Sequence, residues 1–447
     1  MTNFNKQFTP KINSIFTRFL INTKTITKKL LVVFFTIGLV TSGSALLVSC
    51  DLAEDSVAEL WTNSTEFVSY AEAFNASQNR YKVVVKYRNN TAQALLTEKE
   101  MPDIVVGPYL KSQKTRQNFT TLDYLFAELS INKTIFYPQL LEPGRIQGYQ
   151  YLLPVNFNFT AVIFPKNSTQ LTKTDFILPL STIQKKGATF NEIKNDSYTK
   201  MGFIPRSNPN FLYTTCRLFG SDFKEGGKLF TWNEKNLQEA IKYLKNWTQT
   251  VNTSTAMEDE FQFKYMYDPA YKLVTGNRVL MSALNSKSLF VLPADKLSNI
   301  DFRWLTKDDT IPVTEGTLYI GICKNGKNRK AARAFVSWFF KVDTQNMLLE
   351  RSKKLGLLDT SFGIAGGFSS LKEVNESALL KFYPVLLGHL PQLETIQVPQ
   401  VLPSDWENIK KTIIMPFLQE SLTAENSTQI NSLEKRISLW TKEHPQY

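Results

Sequence analysis

Residues 56–75 read SVAELWTNSTEFVSYAEAFN, and two further apolar runs follow, YKVVVKY at residues 81–87 and PDIVVG at residues 102–107. Each run is short, apolar and rich in β-branched or aromatic side chains, which is typical of a buried strand. Between the first two runs, apolar residues recur from Phe67 to Phe74 at the spacing of an amphipathic helix, and residues 91–100 can form a second helix. This alternating order predicts a parallel, doubly wound α/β sheet.

The remaining sequence continues the alternation of strands and helices. Asn63, with Glu66 three residues later, is a candidate N-cap for the first helix. Thr317–Ile322 has the pattern of another strand, and Asn328–Glu350 that of one long helix. Further helices are predicted at Glu234–Trp247, Glu373–Leu387, Asn408–Thr423 and Ser432–His444.

Length and composition indicate a globular protein with more than one domain. The chain is 43% apolar and 13% aromatic, which suits well-packed cores rather than disorder. A chain of 447 residues is too long for a single core. No Pro- or Gly-rich linker interrupts it, so we expect domains that are joined by several crossing segments.

The net charge of +12 does not indicate nucleic-acid binding once it is divided along the chain. Residues 1–49 contain six of the 52 basic residues and no acidic residue, so the rest of the chain carries 46 basic against 40 acidic residues. These charges are scattered along the sequence, without the basic stripe of a nucleic-acid-binding domain. We therefore expect no nucleic-acid partner.

The N-terminal segment resembles a bacterial lipoprotein signal peptide. Lys28 and Lys29 precede a charge-free apolar stretch at residues 30–49, which ends in Leu47-Val48-Ser49-Cys50, the pattern of a lipobox. This resemblance implies removal of residues 1–49 and lipid attachment at Cys50. The stretch is also long enough to span a bilayer, so a permanent signal anchor is the alternative. Both interpretations place the remainder outside the cytoplasmic membrane, in a periplasm or at the cell surface.

The other two cysteines, Cys216 and Cys323, allow a disulfide in an exported protein. Two buried free thiols are the alternative, and we favour it, because an unpaired cysteine commonly serves as a small apolar core residue.

Catalytic patterns are absent from the sequence. His389 and His444 are the only histidines, and there is no Gly-x-Ser-x-Gly elbow, P-loop or Gly-x-Gly-x-x-Gly run. No His, Cys or carboxylate cluster has metal-ligand spacing. We therefore expect a protein that is not an enzyme, with no catalytic residues, no metal and no cofactor.

Binding residues are expected where the predicted strands end, because ligands collect at the carboxyl ends of strands in open α/β sheets. Trp61, Asn63 and Ser64 follow the first strand, and Tyr109 follows the third. An aromatic ring beside short hydrogen-bonding side chains suits a sugar, whose apolar face stacks while its hydroxyls bind polar groups. Core packing is the competing interpretation of Trp61.

The order of these elements resembles the extracellular solute-binding proteins of ABC importers, in the sugar-binding family 1 branch. The resemblance rests on several short motifs that follow one another in the same order as in the family. This chain departs from the family pattern at two places: it has Phe164-Pro165-Lys166 where Tyr-Asn-Lys is usual, and Leu280 where Ala is usual. The matching segments are Glu59–Trp61 with the helix and strand after it, Pro102–Val105, Leu153–Lys166, Gly276–Met281 and Glu315–Trp338.

This resemblance implies a periplasmic-binding-protein-like fold, with two doubly wound α/β lobes and a multi-segment hinge. We expect residues 50–153 and 275–313 in lobe 1, and residues 154–274 and 314–447 in lobe 2. The family's cleft positions add Asn158 and Asn285 to Trp61, Asn63, Ser64 and Tyr109, with Trp304 and Phe362 as further candidates for stacking on a ligand.

Two functions follow from the resemblance. The first is a lipid-anchored, monomeric binding protein that delivers a sugar or similar polar small molecule to ABC permease subunits. The second is a surface lipoprotein of the same fold that binds protein or envelope partners and has no transport role.

Overall fold

The computed structural model describes residues 56–128, 130–172, 175–424 and 430–444. The predicted signal peptide and the predicted lipid attachment site at Cys50 lie outside the described residues. Within those ranges, no helix is long and apolar enough to cross a bilayer.

The strands are β1 (Val57–Thr62), β2 (Lys82–Tyr87), β3 (Ile104–Gly107), β4 (Arg145–Ile146), β5 (Tyr149–Gln150), β6 (Leu153–Pro154), β7 (Asn156–Phe157), β8 (Thr160–Pro165), β9 (Ile177–Pro179), β10 (Glu192–Lys194), β11 (Ser197–Lys200), β12 (Lys224–Gly226), β13 (Leu229–Thr231), β14 (Ser282–Asn285), β15 (Ile300–Thr306), β16 (Ile311–Pro312), β17 (Tyr319–Ile322), β18 (Phe368–Ser369) and β19 (Ile396–Gln397).

The α-helices are α1 (Glu66–Ser77), α2 (Thr91–Thr97), α3 (Asp123–Ala127), α4 (Pro138–Leu141), α5 (Thr169–Thr172), α6 (Leu180–Phe190), α7 (Pro209–Leu218), α8 (Glu234–Asn246), α9 (Thr255–Lys264), α10 (Ala270–Thr275), α11 (Ser286–Leu289), α12 (Ala294–Leu297), α13 (Arg329–Phe339), α14 (Val342–Lys354), α15 (Leu380–Phe382), α16 (Trp406–Ile409), α17 (Met415–Thr423) and α18 (Leu433–Glu443). Short π-helical turns cover Trp247–Val251, Val374–Leu379 and Lys410–Ile414.

The first sheet has the strand order β2-β1-β3-β17-β6. Strands β1, β2 and β3 are parallel, as the opening stretch predicts, and every residue of β3 is buried. Strand β17 is antiparallel to β3 and to β6. The apolar run PDIVVG thus forms a central strand that is covered on both faces, as its composition indicates.

The second sheet has the order β14-β8-β15-β9. Its central strand β8 is buried over Thr160–Phe164 and pairs antiparallel with β14 on one side and β15 on the other. The two sheets with their helices form two α/β lobes, and the predicted α/β class is confirmed.

The predicted lobe boundaries need correction. Residues 275–313 do not return to the first sheet, because β14 and β15 flank β8 in the second sheet. Residues 314–447 do not all belong with the second sheet either, because β17 lies between β3 and β6, and α13 packs against β1 and β17. The lobe to which each of these two segments belongs depends on pairing with strands that are distant in sequence. Local sequence patterns do not reveal such pairing.

We therefore define the first lobe as residues 56–154 and 318–359, and the second lobe as residues 160–312 and 402–444. Residues 155–159 and 313–317 cross between the lobes, and residues 360–401 form a third connection, which we call the connecting segment. Within it, β18 pairs with β7 of the first crossing.

A cluster of seven aromatic rings joins the crossings to the second lobe. Each ring is at most 3% exposed, and ring centroids of neighbours lie 4.6–6.3 Å apart. Edge-to-face pairs of this kind contribute about 0.5–1.5 kcal/mol beyond their buried area. This aromatic cluster consists of Phe157, Phe159, Phe290, Phe302, Trp304, Phe362 and Phe368.

Two predicted helices differ from the structure. The single helix expected over Asn328–Glu350 is two helices, α13 and α14, because Lys341 between them has extended backbone. The helix expected over Glu373–Leu387 is a π-helical turn followed by the short α15, which ends one residue before Tyr383-Pro384. The predicted free thiols are confirmed, since Cys216 and Cys323 are both buried and unbridged.

Phe368 lies at the centre of the aromatic cluster, so Phe368→Ala tests how much the cluster stabilises the fold. The ring contacts five aromatic neighbours and is 1% exposed. We expect the free energy of unfolding to fall by about 3–5 kcal/mol in urea titrations, because a large cavity remains. Phe263→Ala, at a ring that is 76% exposed, is the control and should change it by less than about 0.5 kcal/mol. Equal effects would contradict a structural role for the cluster.

Candidate ligand-binding cleft

Several predicted binding residues of the first lobe come together at one edge of its sheet. Strands β1, β2 and β3 are parallel, so their carboxyl ends lie side by side. Asn63 and Ser64 follow β1, Asn90 follows β2, and Tyr109 follows β3. This edge faces the second lobe, because Asn90 and Tyr109 both form hydrogen bonds with residues of that lobe.

The second lobe contributes a polar cluster where its sheet meets the crossings. Asn285, the last residue of β14, is the register partner of Thr160, the first residue of β8. The Asn285 amide nitrogen donates to the Thr314 hydroxyl at 3.3 Å, and its oxygen accepts from the backbone N–H of Lys287 at 2.8 Å. Asn285 thus links β14 to the second crossing.

Asn158 and its neighbour Asn156 connect the crossings to each other. The Asn158 amide nitrogen donates to the carbonyl of Gly366 at 3.0 Å, and its oxygen accepts from the Ser286 hydroxyl at 2.7 Å. Asn156 donates to the carbonyl of Ala365 and accepts from the backbone N–H of Leu318. The structure therefore gives Asn158 a structural role, and its amide keeps one N–H and one lone pair for a ligand.

Trp61 does not face the cleft. The indole is 1% exposed and packs in a small core with Ala92, Leu95 and Val105. Its N–H donates to the Glu59 carboxylate at 2.6 Å, and the Arg88 guanidinium lies 4.7 Å from the ring centroid. The structure thus supports the interpretation that Trp61 is a core residue. Its ring has no free face for the predicted contact with a ligand.

Trp304 and Phe362 are not available for stacking on a ligand either. Both rings are 0% exposed and belong to the aromatic cluster. The Trp304 indole N–H donates to the carbonyl of His389 at 2.6 Å, and Phe362 packs against Phe290 and Tyr383. Sequence reasoning could not separate a cleft aromatic from a buried one, because both occur on apolar stretches.

Asn63 and Ser64 remain at the cleft edge, with different surroundings. Ser64 donates to the Glu66 carboxylate at 2.6 Å. The side-chain oxygen of Asn63 is buried and has no hydrogen-bond partner among the described residues. Asn63 is not the N-cap of α1, since Thr65 precedes that helix without a side-chain capping bond. An unpaired buried oxygen is unfavourable and can accept a hydrogen bond from a bound molecule.

Glu66 is a site residue that sequence reasoning did not identify. Its carboxylate accepts hydrogen bonds from Ser64 and from Ser361 of the connecting segment. Burial alone would raise the pKa of Glu66, but these two hydrogen bonds, a further hydrogen bond from its own backbone N–H and the positive charge of Lys287 together outweigh burial and lower the pKa below its usual value. Lys287 belongs to the second lobe, so the carboxylate is stabilised from both sides of the junction.

Tyr109 begins a network of charged groups that also joins the two lobes. Its hydroxyl donates to the carboxylate of Glu407, and burial together with this negative charge raises the pKa of Tyr109 well above its usual value. The Lys410 ammonium nitrogen lies 3.4 Å from a carboxylate oxygen of Glu407 and 3.6 Å from one of Glu315. The Arg217 guanidinium also pairs with Glu315, at 2.7 Å. The two partners, Tyr109 and Glu407, are 298 residues apart, so no sequence pattern reveals this network.

Two further hydrogen bonds hold the lobes in contact. Asn90 donates to Asp405 at 3.0 Å, and the backbone N–H of Gln113 donates to Glu225 at 2.7 Å. The junction of the two lobes is thus bordered by amides, hydroxyls and paired charges from both lobes. Within the described ranges, no group of three or more His, Cys, Asp or Glu side chains could hold a metal ion.

Solved structures match this architecture over most of the chain. The sugar-binding protein MalE of Xanthomonas citri aligns with a TM-score of 0.65 at 12% identity, covering 87% of this chain and 96% of its own. An ABC substrate-binding protein of Listeria monocytogenes, in complex with cycloalternan, aligns with a TM-score of 0.61 at 13% identity, covering 87% and 99%.

A third match is the maltose/maltodextrin-binding domain MalE of Bdellovibrio bacteriovorus bound to maltotriose, with a TM-score of 0.55 at 14% identity, covering 88% and 100%. No family model and no curated protein matches the sequence. At these identities the likeness establishes the fold, and the chain has the two-lobed α/β fold of these binding proteins.

Glu66→Gln tests whether the carboxylate stabilises the junction of the lobes. Because the pKa of Glu66 is lowered in the folded state, its stabilisation is present above about pH 4.5 and disappears as the pH falls through the folded-state pKa. We expect the variant to lose about 0.5–2 kcal/mol of unfolding free energy at neutral pH, and nothing at a pH below that pKa. Urea titrations at several pH values measure this difference.

The matched control for Glu66 is Glu100→Gln, at an exposed carboxylate of the first lobe. It should change the unfolding free energy little at any pH. A loss in Glu66→Gln that does not vary with pH would contradict the charge-based account.

Proposed function

We propose that this chain is an extracytoplasmic substrate-binding protein of an ABC importer, which binds a sugar or a similar polar small molecule between its lobes. The observation that carries the proposal is the polar edge of the first lobe, where Asn63 has an unpaired buried oxygen, facing the amide and hydroxyl groups of the second lobe. Sugars present many hydroxyl groups, which pair well with amides and carboxylates in such a cleft.

The three connections between the lobes support a hinge. Residues 155–159 and 313–317 are short, and Asn156 and Asn158 tie them to the connecting segment. Closure around a ligand would require small backbone changes in these crossings while each sheet stays intact. A ligand that contacts both lobes stabilises the closed form, which the permease then recognises.

The proposal includes anchoring through a lipid on Cys50, which follows from the lipobox-like sequence at residues 47–50. A tethered binding protein stays at high effective concentration near its permease. We propose that it acts as a monomer, without catalysis and without a cofactor. The three matching structures are sugar-binding proteins or complexes with an oligosaccharide, which does not favour the partner-binding alternative.

Thermal unfolding with a panel of mono- and oligosaccharides tests ligand binding. We expect at least one sugar to raise the Tm, because a ligand that binds only the folded state stabilises it. For that sugar, Asn63→Ala should raise the Kd at least about fivefold in calorimetric titrations, since one hydrogen bond is lost. The control Asn79→Ala, at an exposed position of the first lobe, should bind normally. A panel without any Tm shift would contradict sugar binding.

Cys50→Ser tests the anchor in bacteria that process lipoproteins. We expect the unaltered chain to be found in the membrane fraction, with a mass that matches a lipid-modified chain beginning at Cys50. The variant should keep residues 1–49 and lack the lipid mass, because the cysteine thiol is the attachment point. If both the unaltered chain and the variant are found in the membrane fraction without cleavage or lipid, the result would instead support the permanent signal anchor.

A further inference from the structure

One short loop of the first lobe carries a concentration of positive charge. Residues 324–330 read KNGKNRK, and Lys324, Lys327, Arg329 and Lys330 are all exposed. The charges elsewhere in the sequence are scattered, and this loop is an exception. Among the described residues, none of the four side chains forms a salt bridge, whereas Arg333 on the following turn pairs with Glu128 at 2.8 Å.

The loop lies at the edge of the first sheet where β1 begins. The backbone N–H of Asp103 donates to Glu59, and the N–H of Cys323 donates to Asp103, so these three residues lie side by side on β1, β3 and the end of β17. Because β17 runs antiparallel to β3, the chain after Cys323 leaves the sheet at the same edge at which β1 starts. Strand β3 separates β17 from β1, and neighbouring strands are about 4.8 Å apart, so the loop leaves the sheet about 10 Å from β1.

Two more exposed cations lie at this edge. Lys82, the first residue of β2, is the register partner of Val57, and Arg80 precedes it. We call the six residues the basic edge: Arg80, Lys82, Lys324, Lys327, Arg329 and Lys330. Next to it, a groove of about 650 Å³ is lined by Lys111, Arg116, Arg145 and Lys324, of which Arg145 pairs with Glu142 at 3.1 Å.

Among the described residues, none of the six side chains pairs with a carboxylate, although Arg329 donates to the carbonyl of Lys324 and the Arg80 guanidinium lies 5.1 Å from the Tyr81 ring centroid. Arg329 and Lys330 occupy the first turn of α13, which has no acidic residue there. The positive end of the helix dipole disfavours cations at that position. Asp103, a carboxylate in contact with the loop, is buried and already accepts the backbone N–H of Asn328 at 2.6 Å. In the sequence, Asp51, Glu54 and Asp55 precede β1 and the exposed Glu100 precedes β3, so these four carboxylates are fewer than the six cations.

We infer that the basic edge docks on the anionic surface of the membrane to which the chain is tethered. This inference rests on the proposed anchor at Cys50, which precedes Ser56 by six residues. A chain of six residues spans at most about 20 Å. Such a tether keeps the edge close to the lipid headgroups, where phosphates attract Lys and Arg side chains over a Debye length of about 8 Å. The cleft lies at the opposite edge of the first sheet and therefore faces away from the bilayer.

The test uses the chain from Cys50 to Tyr447 coupled to lipid vesicles through its own thiol. Residues 54–447 form one compact unit, and Cys216 and Cys323 are buried, so a maleimide lipid reacts at Cys50. Vesicles contain phosphatidylcholine alone or with phosphatidylglycerol. Mass spectrometry follows the acylation rates of Lys324, Lys327 and Lys330. We expect the anionic vesicles to slow acylation at least about threefold at low salt, and high salt to restore it.

Exposed lysines of the second lobe are the internal control: Lys228, Lys235 and Lys242. Their acylation rates should be the same in both kinds of vesicle. If the lysines of the basic edge are acylated at the same rate on both kinds of vesicle, the inference is overturned. If soluble polyglutamate slowed the acylation of these lysines as much as anionic vesicles do, the site would bind polyanions in general. That result would overturn the assignment to a lipid surface.

A flotation experiment with the uncoupled chain from residue 50 to Tyr447, in which Cys50 is replaced by Ser, provides a second measurement. We expect the substitutions K324Q, K327Q, R329Q and K330Q together to reduce the fraction that floats with anionic vesicles at least about fivefold. The matched control removes four exposed lysines of the second lobe, through K228Q, K235Q, K242Q and K411Q, and should float like the unaltered chain. Equal loss in both variants would show dependence on net charge alone and would overturn the inference.

Coupling through the introduced maleimide makes this test independent of processing in the cell. If Cys50 carries no lipid in vivo, the proposed anchor fails even though the basic edge binds anionic vesicles. If the variant with four substitutions in the basic edge binds sugar normally and floats as well as the unaltered chain, the docking inference fails and the proposed function stands.

Discussion

The arrangement of the two lobes depends on burying the aromatic cluster at their crossings. Phe157 and Phe159 are on the first crossing, Phe362 and Phe368 on the connecting segment, and Trp304 on the second lobe's sheet. Because these rings pack on one another and exclude water, three chain segments distant in sequence meet at one place. The amides of Asn156 and Asn158 then fix the crossings by hydrogen bonds to Ala365 and Gly366, and this joint positions the polar edges that border the cleft.

Local sequence patterns predicted the elements of this fold well. The alternation in residues 56–107 predicted β1, α1, β2, α2 and β3 in parallel pairing, because strand length and helical spacing are local properties. The assignment of residues 275–313 to the first lobe was wrong, because β14 and β15 gain their partners from β8, more than 100 residues earlier. The break at Lys341 was also missed, since a short extended link between two amphipathic helices leaves the apolar spacing nearly unchanged.

The candidate site shows the same division between local and distant information. Asn63, Ser64, Tyr109, Asn158 and Asn285 lie at the junction of the lobes, because strand ends can be predicted from sequence. Trp61, Trp304 and Phe362 are buried instead, since residue type does not reveal which face of an element is covered. The pairing of Tyr109 with Glu407, and of Glu66 with Ser361, joins residues from opposite ends of the chain, so only the folded structure brings them together.

The central claim is that a sugar binds between the lobes and holds them closed. Spin labels at Asn79→Cys in the first lobe and Lys235→Cys in the second, in a chain with Cys50→Ser, measure the distance between the lobes by pulsed electron resonance. Both positions are exposed, and the two remaining native cysteines are buried. The account predicts a shorter, narrower distance distribution when a stabilising sugar is added. A distribution that no sugar of the panel changes would contradict it.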